Sequence, residues 1–128
     1  MHPLFHKATG LTEHIIAAAI EVHRHLGPGF VEKIYERALL HELKLLGIKA
    51  ESQKTITVPY KDVQITGQQL DLLVEGELIL ELKAVDQING FHEAQILSYL
   101  KAARLRAGLI INFNVKMLKE GGIRRMVR

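Results

Sequence analysis

The chain has no cysteine, which excludes a disulfide framework and a thiolate-ligated zinc site. It also lacks any apolar run approaching the roughly 18 residues of a membrane-spanning helix. Met1 to Gly10 holds two histidines and a proline but not the apolar segment of a secretory signal. No repeat, linker or low-complexity stretch divides the sequence. Acids are scarce in one place. From Lys101 onward eight Lys or Arg stand against one acid, Glu120, whereas the first hundred residues hold nine bases and thirteen acids. What remains is 128 residues, 48% of them hydrophobic, enough to bury one sizeable core but hardly two. A cytoplasmic enzyme or binding protein is expected. The basic C-terminal quarter suits a phosphate backbone, although a solvated charged surface is the plainer reading of the same residues.

Periodicity predicts the elements. Thr12 is placed to cap a first helix running to Leu26, with Ile15, Ile16, Ala19, Ile20 and Val22 apolar, and Gly27-Pro28-Gly29 ends it. A second helix is expected from Val31 to Leu46, with Val31, Ile34, Tyr35, Ala38, Leu39, Glu42 and Leu46 in helical register and Gly47 as its stop. Lys54 to Tyr60 alternates as a strand does, and Pro59 favours an edge or a strand end. Lys61-Asp62 then turns into a long strand, Val63 to Val74. A third helix from Gly90 to Leu105 follows, with Asn89 as its cap. Gly108 to Phe113 has the composition of a buried strand, and Ile123 to Val127 suits a last one.

The stretch around which these elements are organised is QLDLLVEGELILELK, Gln69 to Lys83. Glu75-Gly76 reads as a turn between two apolar runs. A turn of residues 75 to 77 sets Val74 against Leu78 and Asp71 against Glu81. Alternation then gives Leu70, Leu72, Val74, Leu78, Leu80 and Leu82 to one face of the hairpin. The other face receives Gln69, Asp71, Leu73, Ile79, Glu81 and Lys83. A cross-strand charge pair on a solvated face would account for this trio at about 0.2–1 kcal/mol. However, two acids directly opposite one another are destabilising, and a divalent cation removes that penalty. Hard cations bind through one or two carboxylates together with water and substrate phosphate.

An Asp followed on the next strand by Glu-x-Lys resembles the PD-(D/E)XK nuclease superfamily. The resemblance narrows further. Gly29-Phe-Val-Glu32-Lys-Ile-Tyr35 matches the G-x-x-E-x-x-Y signature of the GxxExxY family, and the similarity continues through VHRHLGPGFVEKIYERAL, QLDLLVEGELILELKAV, HEAQILSYLKA and LIINF. It covers residues 12 to 127. Gln95-x-x-x-Tyr99 matches the Q-x-x-x-Y helix motif of the exonuclease-like branch that includes RecB-type nuclease domains. One departure is Gln69-Leu70 before Asp71, where relatives usually have Arg-Ala.

The resemblance implies one α/β domain over residues 1–128, restriction-endonuclease-like, with an α-β-β-β-α-β core and a mixed central sheet flanked by helices. It implies Asp71, Glu81 and the backbone carbonyl of Leu82 as ligands of Mg²⁺ or Mn²⁺, with Glu32 as an additional acid and Lys83 as the catalytic lysine. Gln95 and Tyr99, four residues apart on one helix face, would orient a carboxylate or phosphate and contact the substrate; a buried Gln and a half-buried core Tyr are the alternative. For Glu32 and Tyr35 the alternative is an acid favoured by the helix dipole and a packing Tyr. His25 is the one histidine kept as a metal candidate, against a surface or packing role; His2, His6, His14, His23, His41 and His92 show no ligand spacing.

The expected activity is hydrolysis of nucleic-acid phosphodiester bonds with low intrinsic sequence specificity. DNA is favoured over RNA, and a homodimer or protein partner would lend any further specificity; no membrane is involved. Most nucleic-acid affinity is expected from the bases after residue 100, such as Arg104, Arg106, Arg124 and Arg125. The alternative is a module whose catalysis has decayed and which binds nucleic acid or a protein partner.

Overall fold

The apolar runs between residues 50 and 127 pair into one five-stranded sheet in the computed structural model of the chain, which describes residues 3–128 and the side chains from Gly10 onward. Met1, His2 and the side chain of His6 therefore lie outside the described residues. Helices α1 (Pro3–Leu26) and α2 (Glu32–Leu45) come first. Strands β1 (Ala50–Tyr60), β2 (Val63–Val74) and β3 (Leu78–Lys83) follow. Helix α3 (Gly90–Ala103) then leads to β4 (Ala107–Asn112) and β5 (Ile123–Val127). The strands lie in the order β1-β2-β3-β4-β5, and only β3 and β4 run parallel. A parallel pair needs a crossover, which α3 supplies. Among the described residues no helix is long and apolar enough to cross a membrane.

Both faces of the sheet are covered. Leu72, Val74, Leu78, Leu80 and Leu82 pack beneath α1 and α2 with Ile15, Ala19, Val22, Tyr35, Leu39 and Leu43. Ile79 and Ile110 pack beneath α3 with Ile96, Tyr99 and Leu100. Strand β3 is therefore buried on both sides, as central strands next to parallel partners are, and it carries Glu81 into the interior. This second layer rules out a solvated face for Glu81, while Asp71 is half-buried.

Three expectations need correction. Thr12 does not cap α1: the helix begins at Pro3, and Thr12 is buried inside it. On α2 the buried face is Tyr35, Glu36, Leu39 and Leu43, while Val31, Ile34 and Leu46 are exposed. The inward spine repeats every four residues, and Glu36 can join it because Gln53 Nε2 donates to its carboxylate at 2.6 Å. Third, Leu70 does not share a face with Leu72 and Val74; it belongs to the cluster beneath α3. Across β1, Ala50 likewise packs towards α1 and α2 whereas Ile56 packs towards α3. The change of face falls at Gln53, whose φ is 52°. The register Ser52↔Leu72 and Lys54↔Leu70 puts Gln53 opposite Asp71.

Other expectations hold. Val74 pairs with Leu78, and Pro59 lies in the edge strand β1. Asn89 caps α3: its Oδ1 accepts from the N–H groups of Phe91 and His92 at 3.0 and 3.1 Å, and His92 Nδ1 accepts the Asn89 N–H. The helix stops two residues before Leu105 because Arg104 adopts φ 57° and Leu105 N–H returns to the Leu100 carbonyl. His23, another of the seven histidines, sits 2.8 Å by its Nε2 from the Val115 carbonyl oxygen.

Candidate active site

The ladder between β2 and β3 ends at Leu72↔Leu80. One step further, Asp71 and Glu81 stand opposite each other, and their side chains take over the bonding. Asp71 N–H donates to Glu81 Oε1 at 3.3 Å, and Leu82 N–H donates to Asp71 Oδ2 at 2.8 Å. Two backbone donors that would pair with carbonyls thus hold carboxylates, and the acids are fixed by the sheet itself.

Glu81 is only 4% exposed. Burial, and after it the charge of Asp71, pushes its carboxyl up to about 8; the Asp71 N–H and Lys83 act in the opposite direction. Near neutral pH the metal-free chain therefore keeps a proton on this pair.

On the α3 side, Lys83 Nζ donates to Gln95 Oε1 at 3.1 Å. Tyr99, one turn on, accepts a 2.6 Å bond from Gln68 Nε2 at its hydroxyl. Burial first, then Glu81 and Asp71, raises its phenol pKa. The Gln-x-x-x-Tyr spacing thus lays one polar group over the lysine and the other beside the acids. Asn112, paired with Lys83 across the parallel ladder, is buried; its Oδ1 accepts Val85 N–H at 3.1 Å and its Nδ2 donates to the Val85 carbonyl at 2.9 Å. That clamp fixes the chain leaving Lys83.

On the α2 side, Asp71 and Leu82 open to a cleft of about 490 Å³ whose facing wall includes Glu32, Lys33, Glu36 and Arg37. Glu32 thus lies across the cleft from Asp71. Tyr35, its companion in the motif, turns into the core instead. Its ring stacks on Phe113 with centroids 4.4 Å apart. Its hydroxyl donates to the Gly27 carbonyl at 2.6 Å and accepts Phe30 N–H at 3.2 Å. It clasps a turn in which Gly29 has φ 113°, a conformation that favours glycine. His25 is not among the residues lining the cleft: its side chain is 76% exposed and sits 3.7 Å from Glu21 Oε1.

Among the described residues no group of three or more His, Asp or Glu is gathered tightly enough to cage a metal ion. The donor set is a carboxylate pair beside a cleft. That suits a hard cation such as Mg²⁺, which keeps several waters and uses one or two carboxylates, better than a metal needing an all-protein cage.

Sequence reasoning missed Glu36, Gln53, Gln68 and Asn112. Glu36 follows Glu32 by four residues, a signal of one helix face that was available; the other three carry none, since their partners are set by tertiary contacts. The C-terminal bases named for nucleic-acid affinity are spread over the fold. Arg124 is paired with Glu93 at 2.6 Å and Arg125 with Glu13 at 2.9 Å. Lys101, Arg104 and Arg106 lie where α3 ends and β4 begins, and Ala107 pairs with Leu78, the end of β3 away from Lys83. Lys33 and Arg37 share the cleft with Asp71, and Arg124 lies in line with Glu81 two strands away.

A family model described as the PD-(D/E)XK nuclease superfamily matches residues 9–126. The chain belongs to that superfamily. No curated protein and no solved structure matches it. Membership agrees with the mixed sheet between helical layers, which is a restriction-endonuclease-like fold. It supports a nuclease-like function in general and a nucleic-acid substrate, and PD-(D/E)XK nucleases generally use divalent metals.

Proposed function

We propose that this PD-(D/E)XK protein is a Mg²⁺- or Mn²⁺-dependent phosphodiesterase that hydrolyses nucleic-acid chains, DNA before RNA, with low sequence specificity. Residues 1–128 act as one domain of the GxxExxY type, close to the RecB-like branch and cytoplasmic. The observation that carries the reading is the Asp71–Glu81 pair, inserted in the ladder, with Glu81 buried and Asp71 half-buried and lining a cleft. Burying Glu81 beside Asp71 works against its ionised form and adds nothing to packing that an apolar residue would not.

Asp71, Glu81 and the Leu82 carbonyl would hold the ion, with Glu32 facing it across the cleft; His25, exposed beside Glu21, is left out of the set. Such an ion supplies Lewis-acid polarisation of a phosphoryl oxygen and a more acidic water. The chain's own groups do the rest. Glu81 must give up its proton before both carboxylates can act as ligands. Lys83, oriented by Gln95, presents an ammonium to the charge that develops on the phosphoryl group. Tyr99, fixed by Gln68, closes the site on the α3 side.

The test is a cleavage screen on labelled single- and double-stranded DNA and RNA with Mg²⁺ and with Mn²⁺, beside Lys83→Ala. Metal-dependent cleavage by the native chain and none by Lys83→Ala is the expected result. If Lys83→Ala cuts as well as the native chain, the catalytic assignment is wrong. If no substrate is cut but nucleic acid is bound, the decayed-module reading takes its place.

A further inference from the structure

The cleft at Asp71 continues along α2. Arg37 and Leu40 line it and also line a larger open groove of about 1000 Å³ that runs past His41, Lys44 and Lys49 to the β2–β3 turn. Lys33, Arg37, His41 and Lys44 recur every three or four residues, so they share one helix face. All four are exposed, as is Lys49. Among the described residues none of the five takes part in an ion pair, whereas Arg24, Lys54, Arg124 and Arg125 all do. The lip formed by α2 therefore carries Lys33 and Arg37 beside Glu32 and Glu36 at the end nearest Asp71, and only Arg37, His41 and Lys44 along the larger groove. The opposite lip carries Glu75, whose Oε1 accepts Lys49 N–H, and Glu51, whose charge is met by Lys54 at 3.0 Å. Between the lips the floor includes Leu40, Ile48, Ala50 and Leu73.

We propose that this groove is the path of a single nucleic-acid strand, whose sugar–phosphate backbone follows Lys33, Arg37, His41 and Lys44 towards Asp71. The inference deepens the nuclease reading and rests on it for the identity of the cleft. Eleven residues of helix separate Lys33 from Lys44, about 16 Å at 1.5 Å per residue, which spans roughly five nucleotides at the 3.4 Å per-strand rise of B-form DNA. Phosphates on the basic lip turn the bases over the apolar floor, where any base can be accommodated because the contact is with its face rather than its edge. A second backbone would have to lie against Glu75 and a Glu51 already paired with Lys54, with no row of unpaired bases like that of α2 to receive it. The asymmetry of the two lips thus selects one strand over a duplex.

The test is fluorescence anisotropy with a short labelled single-stranded DNA, its RNA counterpart and the matching duplex, at several salt concentrations. A chelator is present so that binding is read without cleavage. Arg37→Ser/Lys44→Ser is compared with the charge-matched control Lys101→Ser/Arg106→Ser, and circular dichroism melts establish that both are folded. Each single-strand phosphate that is no longer neutralised reduces the salt slope by about 0.7. The α2 variant should therefore lose about 1.4 from the slope and bind roughly 25-fold more weakly at 0.1 M salt, while the control matches the native chain. The single strand, DNA or RNA, should bind more tightly than the duplex. Equal losses in the two variants, or none in the α2 variant, overturn the path; tighter duplex binding overturns the single-strand assignment. Metal is then added to the same samples. Binding that depends on α2 without cleavage leaves the path standing and removes the nuclease reading, and cleavage without dependence on α2 does the reverse.

Discussion

Asp71 Oδ2 accepts the backbone N–H of Leu82 at 2.8 Å, so a carboxylate occupies a place in the β2–β3 ladder that a carbonyl would otherwise take. Glu81 reciprocates by accepting the N–H of Asp71. Each acid is anchored by the strand that bears the other. Backbone donors position both acids, and the cost of ionising Glu81 beside Asp71 is built into the folded state.

That cost is readable as pH-dependent stability. The Glu81 carboxyl is raised from 4.5 to about 8 in the metal-free fold. Between those values the native chain keeps a proton that the unfolded chain has released, so the contribution of Glu81 to stability is fullest below about pH 4.5, falls as pH rises, and levels off above about 8. The slope contributed by this group is at most about 1.4 kcal/mol per pH unit. Urea unfolding at a series of pH values should show the decline in the native chain and its absence in Glu81→Gln. Parallel profiles for the two proteins would sink the assignment.

A divalent ion should reverse the same penalty. Binding only the folded state adds RT ln(1 + [L]/Kd), about 2.7 kcal/mol at metal 100-fold above Kd. The melting temperature should rise with Mn²⁺, more at pH 8 than at pH 6, because the metal must displace the Glu81 proton. Asp71→Asn/Glu81→Gln should show no rise. An equal rise in both proteins would mean that the ion binds elsewhere.

Tyr35→Phe separates a structural tyrosine from a catalytic one. The substitution keeps the stack on Phe113 and removes the hydroxyl that joins the Gly27 carbonyl to the Phe30 N–H. A loss of about 1–2 kcal/mol is expected, with cleavage per folded molecule unchanged. Lost cleavage at unaltered stability would move Tyr35 into the active site.

The opposition of Asp71 and Glu81 was legible because a turn of three residues fixes the register, and register carries every later residue with it. The capping of α3 was legible for a similar local reason, since Asn89 and His92 satisfy each other within four residues. The reversal at Gln53 was not: a non-glycine residue at φ 52° has no compositional signature, and alternation alone puts Leu70 on the wrong face. The buried side of α2 was misread because Val31, Ile34 and Leu46 are apolar yet exposed, while Glu36 is charged yet buried. Counting apolar residues cannot find a face that a polar partner on β1 pulls inward.

The last prediction concerns Lys83, whose Nζ donates to Gln95 Oε1 and whose charge lowers the Glu81 carboxyl against burial. Removing it has two consequences that can be read independently. In catalysis, Lys83→Ala loses a fixed donor aimed at developing charge, an effect of about 100- to 1000-fold on turnover where such donors have been removed. Gln95→Ala, which frees the ammonium without deleting it, should lose less. In folding, Lys83→Ala leaves Glu81 facing burial and Asp71 without its cation. The carboxyl should rise further, and the pH interval over which metal-free stability declines should extend upward. Mn²⁺ should still stabilise this variant, since an ammonium is not a metal ligand and its loss removes a like charge from the ion's surroundings. A variant that keeps full cleavage but shows the shifted stability profile would make Lys83 an electrostatic support of the acid pair and nothing more. One that loses cleavage and keeps its response to Mn²⁺ would assign it to the chemistry.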